Sequence, residues 1–184
     1  SDDGTADVTV TNLADFAGTS VTVDDTMNFG SLTFNSAGAV VVAEDSATAL
    51  SGTSTALSLD LDSTGAITQT GTLTVSGVSD FAVGANAITL DQANEFSGAV
   101  SLSNSGANNV TIDDADDLVL GTVSIAAGNL NLDNAGTITQ TGVVSVGGNT
   151  VFDNSDGDNA DITLANANNV FTGTATFTTD TGSD

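Results

Sequence analysis

Acidic residues are the only charged side chains of this chain, and their clusters are its strongest candidates for chemistry. The 184 residues include 24 Asp and Glu and no Lys, Arg or His. Four Asp and two Asn fall within the nine residues from Asp153 to Asp161. Carboxylate and amide oxygens at this density suit Ca²⁺, which takes six to eight oxygen ligands. The predicted calcium ligands of this segment are Asp153, Asp156, Asp158 and Asp161.

A second acidic run supplies a further candidate calcium site. Its members are Asp113, Asp114, Asp116 and Asp117. The pair Asp24-Asp25 is a shorter candidate of the same kind. The 153–161 segment is not an EF-hand loop, because placing Gly157 at the loop glycine puts Phe152 and Thr163 at ligand positions. The alternative interpretation of every cluster is a solvated acidic turn that binds no metal.

The composition argues against an enzyme. The chain lacks His, Lys, Arg, Cys and Tyr, which removes most nucleophiles, general bases and electrophilic groups. We therefore predict no catalytic residue and no cofactor-binding residue, with Ca²⁺ as the one candidate cofactor. A formal charge of −24 also argues against nucleic acid and anionic membrane as partners. No apolar run approaches the roughly 18 residues of a membrane-spanning helix.

Short stretches of alternating apolar and hydroxyl residues occupy most of the chain and predict β-strands. In each stretch the apolar side chains point to one face and the Thr or Ser side chain to the other. Examples are Val8-Thr9-Val10, Leu73-Thr74-Val75, Ile88-Thr89-Leu90, Val110-Thr111-Ile112 and Val144-Ser145-Val146. Clusters of Asn, Asp, Gly and Ser between them favour turns, and no window shows helical periodicity. The chain is predicted to be all-β.

The chain also contains internal repeats that are longer than a single strand. The segment from Leu59 to Gly71 recurs from Leu130 to Gly142, an offset of 130 − 59 = 71 residues. An apolar-Thr-apolar triplet followed by Phe-x-Gly occurs three times, with Phe16, Phe96 and Phe171 at offsets of 96 − 16 = 80 and 171 − 96 = 75. We predict a single segment over residues 1–184. Its super-repeat units are approximately 1–80, 81–155 and a partial 156–184.

A shorter rhythm indicates how the strands are arranged. Gly98, Gly121 and Gly142 precede similar strands at spacings of 121 − 98 = 23 and 142 − 121 = 21 residues. Such a spacing predicts one coil of a right-handed parallel β-solenoid, with about eight coils in the chain, because a lone coil cannot bury its apolar side chains. The residues predicted to point inward and stack are Val100, Leu102, Val123, Ile125, Val144 and Val146. The alternative is a β-sandwich, which does not predict the glycine rhythm.

The segments that carry these repeats resemble the repeat regions of giant bacterial surface proteins, the filamentous-haemagglutinin-like and autotransporter-type adhesins. Segments in that style are ITLDQANEFSGAVSLSNSGANNVTI, NLNLDNAGTITQTG and ITLANANNVFTGTATF. The resemblance covers essentially the whole chain. It implies an extracellular or cell-surface β-solenoid that serves as a stalk or as a binding tip.

The leading functional prediction is a structural segment of an extracellular bacterial filament or adhesin stalk. Its expected partners are neighbouring repeats or identical subunits stacked head to tail, and surface polysaccharide bridged by divalent cations. The alternative is a calcium-dependent ligand-binding adhesin module. A third candidate is an ice-binding solenoid, since Thr-x-Thr pairs can form a flat ladder. These pairs are Thr9/Thr11, Thr68/Thr70, Thr72/Thr74, Thr139/Thr141 and Thr174/Thr176.

Overall fold

The computed structural model describes residues 8–155 and 160–179, apart from the side chains of residues 24–26, and these form a parallel β-solenoid of about seven turns. The described residues contain nineteen strands and no helix, so no helix among them could cross a membrane. The strands are Val8–Gly18 (β1), Val21–Ser36 (β2), Ala39–Glu44 (β3), Thr48–Leu50 (β4), Ser54–Ala56 (β5), Ser58–Ser63 (β6), Ile67–Gln69 (β7), Leu73–Val75 (β8), Ser79–Ala82 (β9), Ile88–Phe96 (β10), Ala99–Asn104 (β11), Val110–Asp114 (β12), Leu118–Ile125 (β13), Leu130–Asn134 (β14), Ile138–Gln140 (β15), Val144–Val146 (β16), Thr150–Asn154 (β17), Val170–Phe171 (β18) and Ala175–Thr179 (β19).

Each coil pairs with the next through parallel strands in register. One column of Cα partners has a member in each of seven coils: Val23, Val42, Leu61, Phe81, Leu102, Val123 and Val144. Neighbouring members lie between 61 − 42 = 19 and 123 − 102 = 21 residues apart. Parallel pairing at this spacing confirms the predicted solenoid, at about seven turns against the predicted eight. It excludes the sandwich, whose sheets are antiparallel.

The core is a continuous internal stack of aliphatic and Phe side chains. Strands alternate buried and exposed residues, as in β6, where Leu59 and Leu61 are buried and Asp60 and Asp62 are exposed. Each of the six residues predicted to point inward is at most 2 % exposed. Every coil therefore covers the apolar side chains of its neighbours, which a single coil could not do.

The register of β11 and β13 differs from the one that the glycine rhythm predicts. That rhythm sets Val100 opposite Val123, whereas the structure pairs Val100 with Leu120 and Leu102 with Val123. The cause is a register shift between Val100 and Leu102, where β13 accommodates one extra residue. Gly121 lies at this shift, and a Cβ there would come within 2.5 Å of the Ser101 hydroxyl oxygen.

The 71-residue repeat is not a whole number of coils. Three coils from Ile67 lead through Ile88 and Val110 to Leu130. The repeat equivalent of Ile67 is Ile138, eight residues beyond Leu130 and on the next strand, β15. Each residue of the second repeat therefore lies three coils and one strand beyond its equivalent in the first repeat. Equivalent residues consequently face different sides of the solenoid.

Candidate functional site

Two of the predicted calcium ligands belong to one ladder of aspartates. Asp113 in β12 is the register partner of Asp133 in β14, and Asp133 is the partner of Asp153 in β17. Neighbouring strands lie about 4.8 Å apart, so the three residues occupy successive steps on one face. The structure thus brings Asp113 and Asp153 onto one ladder, although the sequence places them in separate clusters. Sequence analysis missed Asp133. The repeat could have indicated it, because Asp133 follows Leu130 by three residues as Asp62 follows Leu59 in the first copy.

The other members of the 113–117 run serve different purposes. The side chain of Asp114 is fully buried, whereas Asp116 and Asp117 are exposed in the following turn. An oxygen of Asp117 accepts a hydrogen bond from the backbone N–H of Thr137 at 2.7 Å. Asp116 and Asp117 also line an open groove of about 410 Å³ together with Glu95.

The 153–161 segment is described only at its two ends. An oxygen of Asp153 accepts the backbone N–H of Ser155 at 3.1 Å, and the backbone carbonyl of Asp161 accepts the N–H of Ile138 at 2.9 Å. Asp156 and Asp158 lie outside the described residues, as do the side chains of Asp24 and Asp25. Among the side chains that the structure describes, no three acidic residues gather closely enough to hold a metal ion. The calcium site stays a prediction.

Calcium binding has a direct test in thermal unfolding. Millimolar CaCl₂ is expected to raise the melting temperature more than NaCl of equal ionic strength, because a ligand of the folded state adds stability by mass action. Screening alone would make the two salts equivalent. The double variant Asp156→Asn, Asp158→Asn should lose most of the difference. The charge-matched control Asp15→Asn, Asp45→Asn changes two exposed acids outside the predicted sites and should keep it, and identical curves in the two salts would refute the site.

Buried polar side chains form a column at the end of one set of strands. Asn94, Asp114 and Asn134 are register partners on three successive coils, and none is more than 1 % exposed. The Nδ2 group of Asn94 donates to the backbone carbonyl of Asp113 on the next coil at 3.0 Å. The Nδ2 group of Asn134 donates to the backbone carbonyl of Gly136, two residues further along the chain. The column satisfies backbone groups where the chain turns, because buried carbonyl and N–H groups need partners.

Two buried acids make the same contact in the two repeats. An oxygen of Glu44 accepts the backbone N–H of Phe29 at 2.8 Å, and an oxygen of Asp114 accepts that of Phe96 at 3.0 Å. The second oxygen of each carboxyl group is buried without a hydrogen-bond partner among the described residues. Each acid therefore accepts the N–H of a Phe on the preceding coil. Its second carboxyl oxygen is removed from water without a replacement hydrogen bond, which lowers the net stabilisation.

The environment of Asp114 favours its neutral form. Burial, together with the charges of Asp116 and Asp113, raises the pKa of its carboxyl group from 3.8 to about 7, although the hydrogen bond from the Phe96 amide acts in the opposite direction. An acid with a raised folded-state pKa binds its proton more tightly in the folded chain than in the unfolded chain. Its favourable contribution is fully present below pH 3.8 and is lost as the pH rises through about 7.

Asp114→Asn is expected to stabilise the protein at neutral and higher pH. The Asn oxygen can still accept the Phe96 N–H, and no charge is buried. The gain should be close to zero near pH 4 and grow to about 2 kcal/mol at pH 8, since raising the pKa from 3.8 to about 7 corresponds to at most about 4 kcal/mol and water near the turn screens part of it. Urea unfolding of both proteins across this pH range measures the difference. A gain that does not change with pH would contradict the buried charge.

A reciprocal pair of amides links two coils and occurs once in each repeat. The side chains of Gln69 and Asn94 exchange two hydrogen bonds of 2.9 Å, and Asn94 Oδ1 also accepts the backbone N–H of Leu73 at 2.9 Å. Gln140 and Asn169 repeat the arrangement at 2.9 and 2.7 Å. Sequence analysis missed both pairs. Two features of the sequence could have indicated them. The segment Ile-Thr-Gln-Thr-Gly surrounds each Gln, and one coil later an Asn stands two residues before a Phe.

Three edge-to-face Phe pairs mark equivalent places in the chain. Their ring centroids are 5.6 Å apart for Phe16 and Phe29, 6.0 Å for Phe81 and Phe96, and 5.9 Å for Phe152 and Phe171. The structural equivalent of Phe96 is therefore Phe29, which also donates its N–H to a buried acid of the next coil. Sequence analysis aligned Phe16 with Phe96, because a glycine follows each of them two residues later. The structure instead places Phe29 at the position equivalent to Phe96.

The first and last described coils leave apolar side chains uncovered. Val8 and Leu13 are 39 % and 49 % exposed, and Val170 and Phe177 are 51 % and 52 % exposed. By contrast Phe152, the register partner of Phe177, is fully buried. Among the described residues, β1 pairs only with β2 and β19 only with β17, so each presents one edge with no partner strand.

The outward Thr residues do not form an unbroken ladder. On one face the register partners run from Thr89 to Thr111, then to Asn131, Val151 and Thr176. Asn131 and Val151 interrupt the row, and the neighbouring column carries the aspartate ladder. Repeated units also face different directions, as described above. The surface is therefore irregular in chemistry along each side of the solenoid.

Comparison with known proteins gives one match. The model of a family described as repeats of unknown function (DUF5649) matches residues 37–103 and again residues 107–178. The two matches start 107 − 37 = 70 residues apart, close to the 71-residue repeat. No curated protein and no solved structure is similar to the chain.

Proposed function

The chain belongs to the family of repeats of unknown function (DUF5649), and from that premise we propose that it is a structural segment of an extracellular bacterial filament or adhesin stalk. The observation that carries the proposal is the uninterrupted core. One column of inward residues runs through seven coils from Val23 to Val144, with both repeats built into it. Quasi-one-dimensional stacking of this kind extends by adding coils and needs no other partner for rigidity.

The terminal coils support head-to-tail stacking. Each presents exposed apolar residues beside an open strand edge, and open edges recruit further strands. Parallel stacking of the first described coil on the last coil of a neighbouring repeat in a longer chain, or of an identical subunit, repeats the contact that joins each described coil to the next. Because the two contacting surfaces differ, the assembly continues and forms a filament. The acidic sides repel one another, which favours growth along the axis.

Stacking predicts concentration-dependent assembly of the isolated chain. We expect sedimentation velocity and electron microscopy, at about 0.15 M NaCl where the Debye length is about 8 Å, to show rods that lengthen with concentration. Phe177→Asp should shorten them, because it places a charge in the contact. The control Val78→Asp alters a residue that is 61 % exposed on the side of the solenoid and should leave rod length unchanged. A dispersed monomer at high concentration would refute stacking.

The calcium-dependent adhesin module is the second candidate function. The observations that favour it are the aspartate ladder at Asp113, Asp133 and Asp153 and the groove lined by Glu95, Asp116 and Asp117. Rows of like charge on successive coils are costly unless cations lie between them. The calcium experiment above separates this candidate from a simple stalk. The interrupted Thr row counts against ice binding, and the lack of His, Cys, Lys and Arg counts against catalysis.

A further inference from the structure

Two exposed apolar residues stand out on the side of the solenoid. Leu57 is 52 % exposed and Val78 is 61 % exposed, the highest value among the large apolar residues that the structure describes. The remaining exposed ones, Val8, Leu13, Val170 and Phe177, lie in the first and last described coils. Leu57 and Val78 lie on consecutive coils, where Leu57 is level with Gly77, the residue before Val78, and the N–H of Leu59 donates to the carbonyl of Val78 at 3.0 Å. Together they form an apolar patch away from both ends.

Leu57 lies between glycines of the two neighbouring coils. Its backbone N–H donates to the carbonyl of Gly38 on the preceding coil at 3.0 Å. On the following coil lies Gly77, where a Cβ would come within 2.6 Å of the Leu57 carbonyl oxygen. Glycines on both neighbouring coils place no side chain beside Leu57, which agrees with its 52 % exposure.

Acidic residues follow this patch in strands β6 and β9, which begin one residue after Leu57 and one residue after Val78. Asp60 and Asp80 are exposed register partners, three residues after Leu57 and two after Val78. Burial, followed by the charge of Asp60 and then that of Asp62, raises the pKa of Asp80. Burial and the charge of Asp60 likewise raise the pKa of Asp62. The chain has no Lys, Arg or His to offset these charges, so a cation from outside would relieve them.

The second repeat shows that the scaffold does not need these residues. At the 71-residue offset, Leu57, Asp60, Val78 and Asp80 correspond to Gly128, Asn131, Asn149 and Val151. An equivalent backbone hydrogen bond is present there, since Leu130 donates its N–H to the carbonyl of Asn149 as Leu59 does to that of Val78. The inward residues are also kept, with Phe81 matched by Phe152. The four surface residues are therefore particular to the first repeat, and folding does not explain them.

We propose that Leu57, Asp60, Val78 and Asp80 form a docking surface for a basic polypeptide segment of another protein that carries apolar side chains between its Lys or Arg residues. Charge complementarity selects this occupant. A second copy of the chain would set Asp60 and Asp80 against acids, and it has no basic residue to contribute. An apolar contact at Leu57 and Val78 excludes water beside the carboxylates and strengthens their pairing with a cation. The proposal does not depend on the stalk function.

The test uses peptides of known charge on the intact chain. In an extended peptide repeating Leu-Ser-Lys-Ser, the Leu and Lys side chains share one face. At about 0.15 M NaCl we expect it to bind about tenfold more tightly than a Ser-Ser-Lys-Ser peptide of equal length and charge. Fluorescence anisotropy measures both affinities. Hydrogen exchange should show protection of residues 57–62 and 78–82 by the Leu-containing peptide.

Variants that copy the surface residues of the second repeat locate the site. The quadruple variant Leu57→Gly, Asp60→Asn, Val78→Asn, Asp80→Val should keep its melting temperature and bind the Leu-Ser-Lys-Ser peptide about tenfold more weakly. The control Asp133→Asn, Asp153→Asn removes the same number of charges elsewhere and should retain the wild-type affinity. Equal affinities for the two peptides, or equal losses in the two variants, would mean diffuse attraction to an acidic rod and would overturn the proposal. Binding only of an acidic oligosaccharide in the presence of Ca²⁺ would also overturn it.

Discussion

Replacing Val123 with Asp is expected to destabilise the solenoid by about 4 kcal/mol or more. Val123 is 1 % exposed and lies between its register partners Leu102 and Val144. The carboxylate would be buried with no cation available from the chain, and an unpaired buried charge is among the costliest substitutions. Such a loss is a large part of the 5–15 kcal/mol that stabilises a typical domain. Chemical denaturation followed by circular dichroism measures it.

The neighbouring residue provides the control. Ser124 is exposed on the opposite face of the same strand. Ser124→Asp adds the same charge at the same height of the solenoid, so its cost should stay within about 0.5 kcal/mol. Thr111→Asp, on an outward position of β12, should also cost far less than the Val123 variant. Similar losses at Val123 and Ser124 would show that the faces of the strands are wrongly assigned.

The second large effect is expected at Asn94. Replacing it with Ala leaves the backbone N–H of Leu73 and the side chain of Gln69 without their partner in the interior. Each buried polar group that loses its hydrogen bond costs about 1–3 kcal/mol, so Asn94→Ala should cost about 3 kcal/mol in total. The measurement is the free energy of unfolding in urea.

The second repeat contains a matched control for this change. Asn169 makes the corresponding contacts with Gln140 and with the N–H of Val144, but it is only half-buried in the last described coil. Water can replace the lost partner there, so Asn169→Ala should cost less than half as much. If the double variant Gln69→Leu, Asn94→Leu were as stable as the wild type, the polar pair would be shown to add no net stability over apolar packing.

Local chemistry made several features of this chain predictable. Alternation such as Val100-Ser101-Leu102 has a period of two, which only a strand with one buried face satisfies. The recurrence of similar glycine-led segments every 21 to 23 residues then predicts stacked coils rather than a sandwich. Repeated sequence segments, such as Ile67-Thr68-Gln69 and Ile138-Thr139-Gln140, predict a super-repeat. Each of these inferences depends on neighbours in sequence, and so they needed no coordinates.

Other features depend on residues that are close only after coiling. The aspartate ladder joins Asp113 with Asp153, 153 − 113 = 40 residues away, and Asp114 differs from Asp113 only in facing the core. One residue of register decides which of two adjacent aspartates is buried and which is exposed. Composition cannot specify that choice, because both positions carry the same side chain.

The all-β class, the approximate coil length and the lack of basic partners for 24 acids were predictable from the residues alone. The coiled structure was needed to show which acids cap Phe amides, where Gln69 meets Asn94, and that repeats advance by three coils and one strand. The physical reason is that strand periodicity and turn chemistry act over a few residues, whereas the register between coils depends on the summed length of every turn. A single extra residue, such as the one in β13 between Leu120 and Val123, shifts the contacts that follow it.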